Sequence, residues 1–232
     1  MLVFIHDSDL HYGKRGAKPR ENKEDHPSTI AASKAQFVIV TGDLTDNGYD
    51  GASCGCINYG GKSDQITPLL ENYVHPLEEA GKEVYLCVGN HDRGKKTLGI
   101  FRHSPIKHII RKRHNSVKYT FRKGDLLFIC CGECPSDIPW LKRKLKNLDQ
   151  PTIIFFHFNL EGPYSDWWSK KQKDAFYNAI KDYNILAILV GHHHITKVTT
   201  WRGIRVIASS NRYSVITYNP FSGLIESIKS KH

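Results

Sequence analysis

Five runs of β-branched and aromatic residues, Leu2 to Ile5, Phe37 to Val40, Val84 to Val88, Ile153 to Phe156 and Ile185 to Val190, each lead directly into a small polar cluster. The clusters are Asp9-Leu10-His11, Gly42-Asp43-Leu44-Thr45-Asp46, Gly89-Asn90-His91-Asp92, His157 and Gly191-His192-His193-His194. Short apolar runs rich in Val, Ile and Phe read as buried strands. Five strand ends therefore bring five sets of His, Asp and Asn to one edge of a sheet, and the fold must be one that gathers them there.

The residue types suit a pair of divalent cations. Two such ions about 3.5 to 4 Å apart need one carboxylate between them, with imidazole, carboxylate and amide ligands on the outer sides. Asp43 is the natural bridge, with Asp9, His11 and His194 on the first ion and Asn90, His157 and His192 on the second. Mn, Fe and Zn all accept this mixed oxygen and nitrogen set. Gly42, Gly89 and Gly191, just before the ligands, allow tight turns where a Cβ would clash. Taken singly, a histidine at a strand end is more often a hydrogen-bonded surface or core residue than a ligand; five clusters together reverse that weighting. His193 is left out, because alternate residues of an extended segment point to opposite sides. His6 and Asp7 are expected to support the site or the fold, and Asp92 to cap the following turn or brace the ligands.

These blocks, D-x-H, G-D-x-x-D, G-N-H-D, H and G-H-x-H, resemble the calcineurin-like metallophosphoesterase superfamily, in order and over residues 9 to 194. The resemblance implies an α/β fold, a four-layer α/β/β/α sandwich of two mixed β-sheets flanked by helices, with the metals at the carboxyl ends of the strands. It also implies hydrolysis of a phosphate monoester or diester, nucleotide-type esters among them, by a hydroxide shared between the ions. His91 then acts as general acid or stabilises phosphoryl charge, and Asp46 sets its tautomer and favours its protonated form. Two other classes stand beside this one. One is a nuclease of the DNA-repair type, although no capping domain is evident; the other is a non-catalytic scaffold, against which the intact ligand set counts.

At 232 residues and 40% hydrophobic content the chain suits a single domain, 1–232, with a basic insert at about 93–116. No apolar run approaches the roughly 20 residues of a membrane span, and the first strand starts almost at Met1, so a cytoplasmic location is expected, unconventional secretion aside. The net charge of +10 is localised: Arg93 to Lys123 holds eleven of the 33 Lys and Arg and no acid. That segment either presents cations to a polyanion or anionic lipid near the metals, or is a solvated helical face. Cysteines are expected as free thiols, a zinc site at Cys54, Cys56 and Cys134 being weakly supported by their spacing.

Further strands are expected at 117–122 and 126–131, joined as a hairpin, and at 197–201, 204–208, 213–218 and 224–228, with helices over 64–80, 138–148 and 169–183. Three loops, 13–28, 48–63 and 159–168, flank the ligand edge, where specificity usually resides. In the last, Tyr164, Trp167 and Trp168 either stack a ring or pack the loop onto the core. Asn90, Arg93, Trp167 and Trp168 are the candidate substrate contacts.

Overall fold

The computed structural model describes residues 1–13, 18–20, 23–47, 64–93, 96–97, 101–102 and 104–231. The Gly48 to Ser63 loop with Cys54, Cys56 and Tyr59 lies outside the described residues, as do Lys95, Leu98, Ile100 and the side chains of Lys96, Phe101 and Arg102.

Among the described residues the strands form two mixed sheets. In the first, β1 (Leu2–Asp7), β2 (Phe37–Val40) and β3 (Glu83–Leu86) run parallel; β12 (Tyr213–Asn219) and β13 (Leu224–Lys231) complete the order β13-β12-β1-β2-β3. The second has the order β10-β11-β9-β8-β7-β6, comprising β6 (Tyr119–Lys123), β7 (Leu126–Cys130), β8 (Thr152–Phe155), β9 (Ile185–Val190), β10 (Thr196–Trp201) and β11 (Ile204–Ser209). The expected 117–122 and 126–131 hairpin is the antiparallel pair β6–β7.

The near-continuous apolar runs follow from burial on both faces. In β7, Leu126, Phe128 and Cys130 face the first sheet, while Leu127 and Ile129 join a second core. Ile153 and Phe155 divide from Ile154 and Phe156 in the same way, with the period of two that a strand requires. Between the sheets, Phe4 stacks on its cross-strand partner Phe37, ring centroids 5.1 Å apart, and both meet Phe128 edge-on. Helices α1 (His26–Ala31), α2 (Ile66–Leu69) and α3 (His75–Glu79) cover the first sheet with Ile30, Leu69 and Leu77. Helices α5 (Ile138–Leu145) and α6 (Lys170–Ile180) cover the second with Leu141, Leu145, Phe176 and Ile180.

The helix expected over 64–80 is broken by a π-helical turn at Leu70–Val74, where His75 N–H reaches back to Leu70 O. Pro76 has no N–H to continue the ordinary ladder, which accounts for the wider turn. The basic insert contributes β4 (Lys96–Thr97), β5 (Phe101–Arg102) and α4 (Pro105–His114). Ser104 caps α4 and donates to Asp92 O at 2.6 Å, so the helix begins beside the ligand edge. Its far end stacks His114 between Tyr85 and Tyr119, closing the β3–β6 side of the sandwich.

Candidate metal centre

The loops leaving β1 and β2 are zipped together by main-chain hydrogen bonds: Asp9 N to Gly42 O and His11 N to Asp43 O at 2.9 Å, and Tyr12 N to Leu44 O at 3.0 Å. This pairing continues past the strand ends only because the backbone turns left-handed. Asp9, His11, Asp43, His192 and His194 have φ of 56°, 50°, 49°, 68° and 55°. Such conformations cost of order 1–3 kcal/mol each in side-chain-bearing residues and concentrate at functional sites. Gly42 also turns left-handed, at φ 93°. Gly89 is needed for another reason: a Cβ there would lie 2.2 Å from both the amide N and Oδ1 of Asp43.

Asp9, His11, Asp43 and His194 converge as one group of potential ligands, and Asp43, His157 and His192 as another, with Asp43 common to both. His194 Nε2 lies 3.3 Å from Asp9 Oδ1 and 3.4 Å from His11 Nε2. On the other side His157 Nε2 lies 3.2 Å from Asp43 Oδ2, 3.0 Å from Asn90 Oδ1 and 3.2 Å from His192 Nδ1. The His157 tautomer decides what this means. Its Nδ1 donates to Thr41 O at 2.8 Å, so in the neutral ring Nε2 is a lone pair pointed at a carboxylate oxygen, an amide oxygen and a second ring nitrogen. With a proton on Nε2 the ring donates into this group; with that proton displaced, the oxygen and nitrogen atoms are a donor set that suits a divalent cation, and the residues fit a pair of such metals in that sense.

The protonation states agree. Burial by itself would push the Asp9 and Asp43 carboxyls up, but the surrounding imidazoles, His194 and His157 foremost, hold both below the usual carboxylate range. Burial lowers His11 and His192 to about 4, leaving neutral rings able to ligate. Burial also opposes charge on His157, yet Asp43 and Asp9 raise it to about 9. A proton held that firmly marks the most negative point of the cluster, where a metal cation would take its place.

His91 stands above this cluster, 41% exposed at its side chain, with its main-chain N–H on Asp43 Oδ1 at 2.9 Å. The expected role of the Asp46 carboxylate needs correcting. His91 Nδ1 donates to the main-chain carbonyl of Asp46 at 2.6 Å, while Asp46 Oδ1 is 3.9 Å away and faces His11 Nδ1 at 3.8 Å. Main-chain geometry therefore sets the tautomer, and the carboxylate adds only a partly screened charge. Asp46→Ala is accordingly expected to lower turnover less than about tenfold, well short of the loss on removing a proton donor. A kcat loss equal to that of His91→Gln would return the role to the carboxylate. Asp92 is buried and accepts from Gly89 N, Leu44 N, Thr45 N and Thr45 Oγ1 at 2.8–3.1 Å, tying the Asp43 and Asn90 loops together.

Behind Asp9 lies a set of residues that sequence reading passed over. Lys23 is 1% exposed, and its Nζ donates to Asp7 Oδ1 at 3.0 Å and to Ser8 O. His26 Nδ1 and Tyr73 OH reach Asp7 Oδ2 at 2.8 and 2.9 Å. A lysine in a charged, Gly- and Pro-containing stretch is ordinarily solvated, and nothing in the local sequence signals that this one is buried. The 13–28 segment is thus partly an internal anchor. It also brings Arg20 against His194 Nδ1, a second cation near the cluster that no motif announced.

Of the candidate substrate contacts, Asn90 lies within the cluster, against His157, and Arg93 is bound by Glu133, its guanidinium 5.9 Å from the Phe158 ring centroid. Trp168 is a correction: only 3% exposed, it donates to Asn159 O at 2.8 Å and packs against Phe156 and Phe176, so it serves the core. Trp167 is 50% exposed, with its ring centroid 5.0 Å from that of His192. His193 packs beneath Gly162.

Several of the cations of the basic segment are paired. Arg93 and Lys107 meet Glu133, Arg113 meets Glu78, Lys118 meets Asp137 and Lys123 meets Glu83. Cys87, Cys130, Cys131 and Cys134 are free thiols, and burial raises Cys134 to about 11. Among the described residues no helix is long and apolar enough to cross a membrane.

The same architecture occurs in solved structures. A dimetal phosphatase from Danio rerio superposes with a TM-score of 0.65 at 13% identity, covering 99% of this chain and 95% of that one. GAP50, the anchor in the inner membrane complex of Plasmodium, does so with a TM-score of 0.62 at 11% identity, covering 99% and 88%. At such identities the likeness is one of fold, and no curated protein matches by sequence. A sequence profile does match, over residues 2–196, and it spans the strands, the loops and the clustered His and Asp residues described above. This chain belongs to the calcineurin-like phosphoesterase family.

Proposed function

We propose that the chain is a binuclear metal-dependent phosphoesterase acting on a small phosphate ester, with Asp9, His11, Asp43 and His194 holding one ion and Asp43, Asn90, His157 and His192 the other. The observation that carries this reading is the convergence of Asp43 Oδ2, Asn90 Oδ1 and His192 Nδ1 within 3.2 Å of His157 Nε2, a set of oxygen and nitrogen donors in which a divalent cation can take the place of the proton that His157 otherwise holds. Bound divalent metals supply Lewis-acid charge and a nucleophile near neutral pH. The protein's own part is positional. His91, its Nδ1–H held by Asp46 O, can in its imidazolium form give the Nε2 proton to the leaving oxygen and is left as the neutral Nδ1–H ring. Arg20, beside His194, is a donor for a non-bridging phosphoryl oxygen. The acid partners of Lys107, Arg113, Lys118 and Lys123 weigh against a nuclease that grips a long polyanion through this segment.

The test is a panel of phosphomonoesters, cyclic and linear phosphodiesters, oligonucleotides and phospholipids, each assayed with Mn2+, Fe2+ and Zn2+. One dominant metal-dependent hydrolysis is expected; no hydrolysis of any ester with any metal would leave the scaffold reading standing. His91→Gln is expected to keep its metal and lose about 10²- to 10⁴-fold in turnover on an aryl phosphodiester. Wild-type turnover would remove His91 from the chemistry.

A further inference from the structure

We propose that Tyr164 and Trp167 form a stacking rim for a planar ring carried by the substrate phosphate, so that the site takes aryl or nucleoside phosphate esters in preference to ringless ones. This inference rests on the phosphoesterase reading and deepens it.

The 159–168 loop sorts its aromatics in a way that core packing alone does not require. Phe158, Leu160 and Trp168 are buried and anchor it on the outer core of the second sheet. Tyr164 and Trp167 are left 61% and 50% exposed, although the anchored loop already has an apolar surface to pack on. Both stand over one metal-ligand candidate: the Trp167 and Tyr164 ring centroids lie 5.0 and 5.9 Å from that of His192, edge-on. The buried Phe158 packs against both Trp167 and His192, its ring centroid 5.5 Å from the first and 5.0 Å from the second. Tyr164 is held at φ 60°, an unusual conformation for a bulky residue, immediately ahead of the short 3-10 segment Ser165–Trp167.

The charge of the loop selects the kind of partner. Residues 159–168 include Glu161 and Asp166 and no Lys or Arg, so the loop itself offers no cation to a second phosphate or a polyanion. Electron-rich indole and phenol faces beside two acids suit an uncharged or electron-poor ring. A ring attached to a phosphate at the cluster extends naturally over His192 and onto these faces, where stacking needs no particular hydrogen-bond pattern.

The experiment is calorimetric, with the full-length, Mn2+-loaded protein and ligands that are not turned over: methylphosphonate, phenylphosphonate and an adenosine 5′-phosphonate. Wild type is expected to bind at least one ring-bearing ligand about tenfold or more tightly than methylphosphonate. Tyr164→Ala and Trp167→Ala are expected to shrink that preference to about twofold with methylphosphonate affinity unchanged, and Trp167→Phe to retain it. Preference for adenosine over phenyl would assign a nucleobase, and equal preference a generic aromatic. Equal affinity of wild type for ringed and ringless ligands, or a preference that survives both alanine variants, would overturn the rim. Failure of every ligand, methylphosphonate included, would defeat the phosphoesterase reading and the rim with it.

Discussion

Asp43→Asn is expected to empty both metal positions at once and to abolish turnover. Asp43 is common to the two groups of potential ligands, and one residue of each lies near the same oxygen: His11 Nε2 is 3.7 Å and His157 Nε2 3.2 Å from Oδ2. An amide in its place carries no negative charge to share between two cations, and with its oxygen kept at the Oδ2 position its NH2 faces the His91 main-chain N–H. Its second duty is lost as well, because Asp43 Oδ1 accepts the His91 main-chain N–H at 2.9 Å and thereby fixes the acid above the site. The loss should exceed the roughly 10- to 100-fold that follows removal of a hydrogen-bond partner behind a metal ligand. Elemental analysis of the purified variant is the measurement; two retained equivalents of metal would refute the shared-ligand assignment. Asp9→Asn, touching only one group, should spare the second ion.

Lys23→Met should produce the largest change in stability, about 3–5 kcal/mol, because it removes the ammonium paired with the buried Asp7 carboxylate and leaves only His26 and Tyr73 on its other oxygen. Lys23 and Asp7 are 1% and 0% exposed, and no solvent is at hand to replace the ammonium. For a chain of 232 residues each kcal/mol shifts Tm by about 2–4 °C. Denaturant unfolding at pH 7 provides the direct reading, and a loss under about 1 kcal/mol would show that His26 and Tyr73 alone satisfy Asp7. The pH dependence has a definite sign. Burial raises the Asp7 carboxyl, but Lys23 and His26 overcome it and leave it below the usual range. Its stabilisation is therefore complete above the unfolded value near 4 and is lost as pH falls through the lower folded value. His6 adds to acid lability from higher pH: burial lowers it to about 3, so the unfolded chain binds the proton first and stability declines below about 6.5. In Lys23→Met the deficit should be greatest near neutrality and narrow as Asp7 becomes protonated.

Much of the His and Asp cluster was legible because each of its polar groups follows an apolar run directly. Asp9, Asp43, Asn90, His157 and His192 need only the strand ahead of them to be placed at the edge, and period-two patterning identifies those strands. The sorting of Trp167 from Trp168 was not legible. Adjacent, chemically identical side chains differ only in which neighbour waits for them, and Phe156 and Phe176 await Trp168. Nor was the tautomer of His91, since every residue has a carbonyl and only the folded loop shows that of Asp46 to be the one in reach. The left-handed backbone at Asp9, His11, Asp43, His192 and His194 was equally hidden, because Asp and His tolerate that region without announcing it.

By itself, then, the order of apolar runs and polar clusters named most of the groups that converge and carried the resemblance that implied the family and the layered α/β architecture, for these rest on local pattern and residue chemistry. The tertiary structure alone decided how they meet. Asp9 and His192 are 183 positions apart, yet the His192 main-chain N–H lies 3.0 Å from Asp9 Oδ2. Lys23 owes its burial to Asp7 on β1 and to a core that closes over both. Such pairings arise from packing across the sandwich, where a side chain's environment is set by residues far from it in the chain.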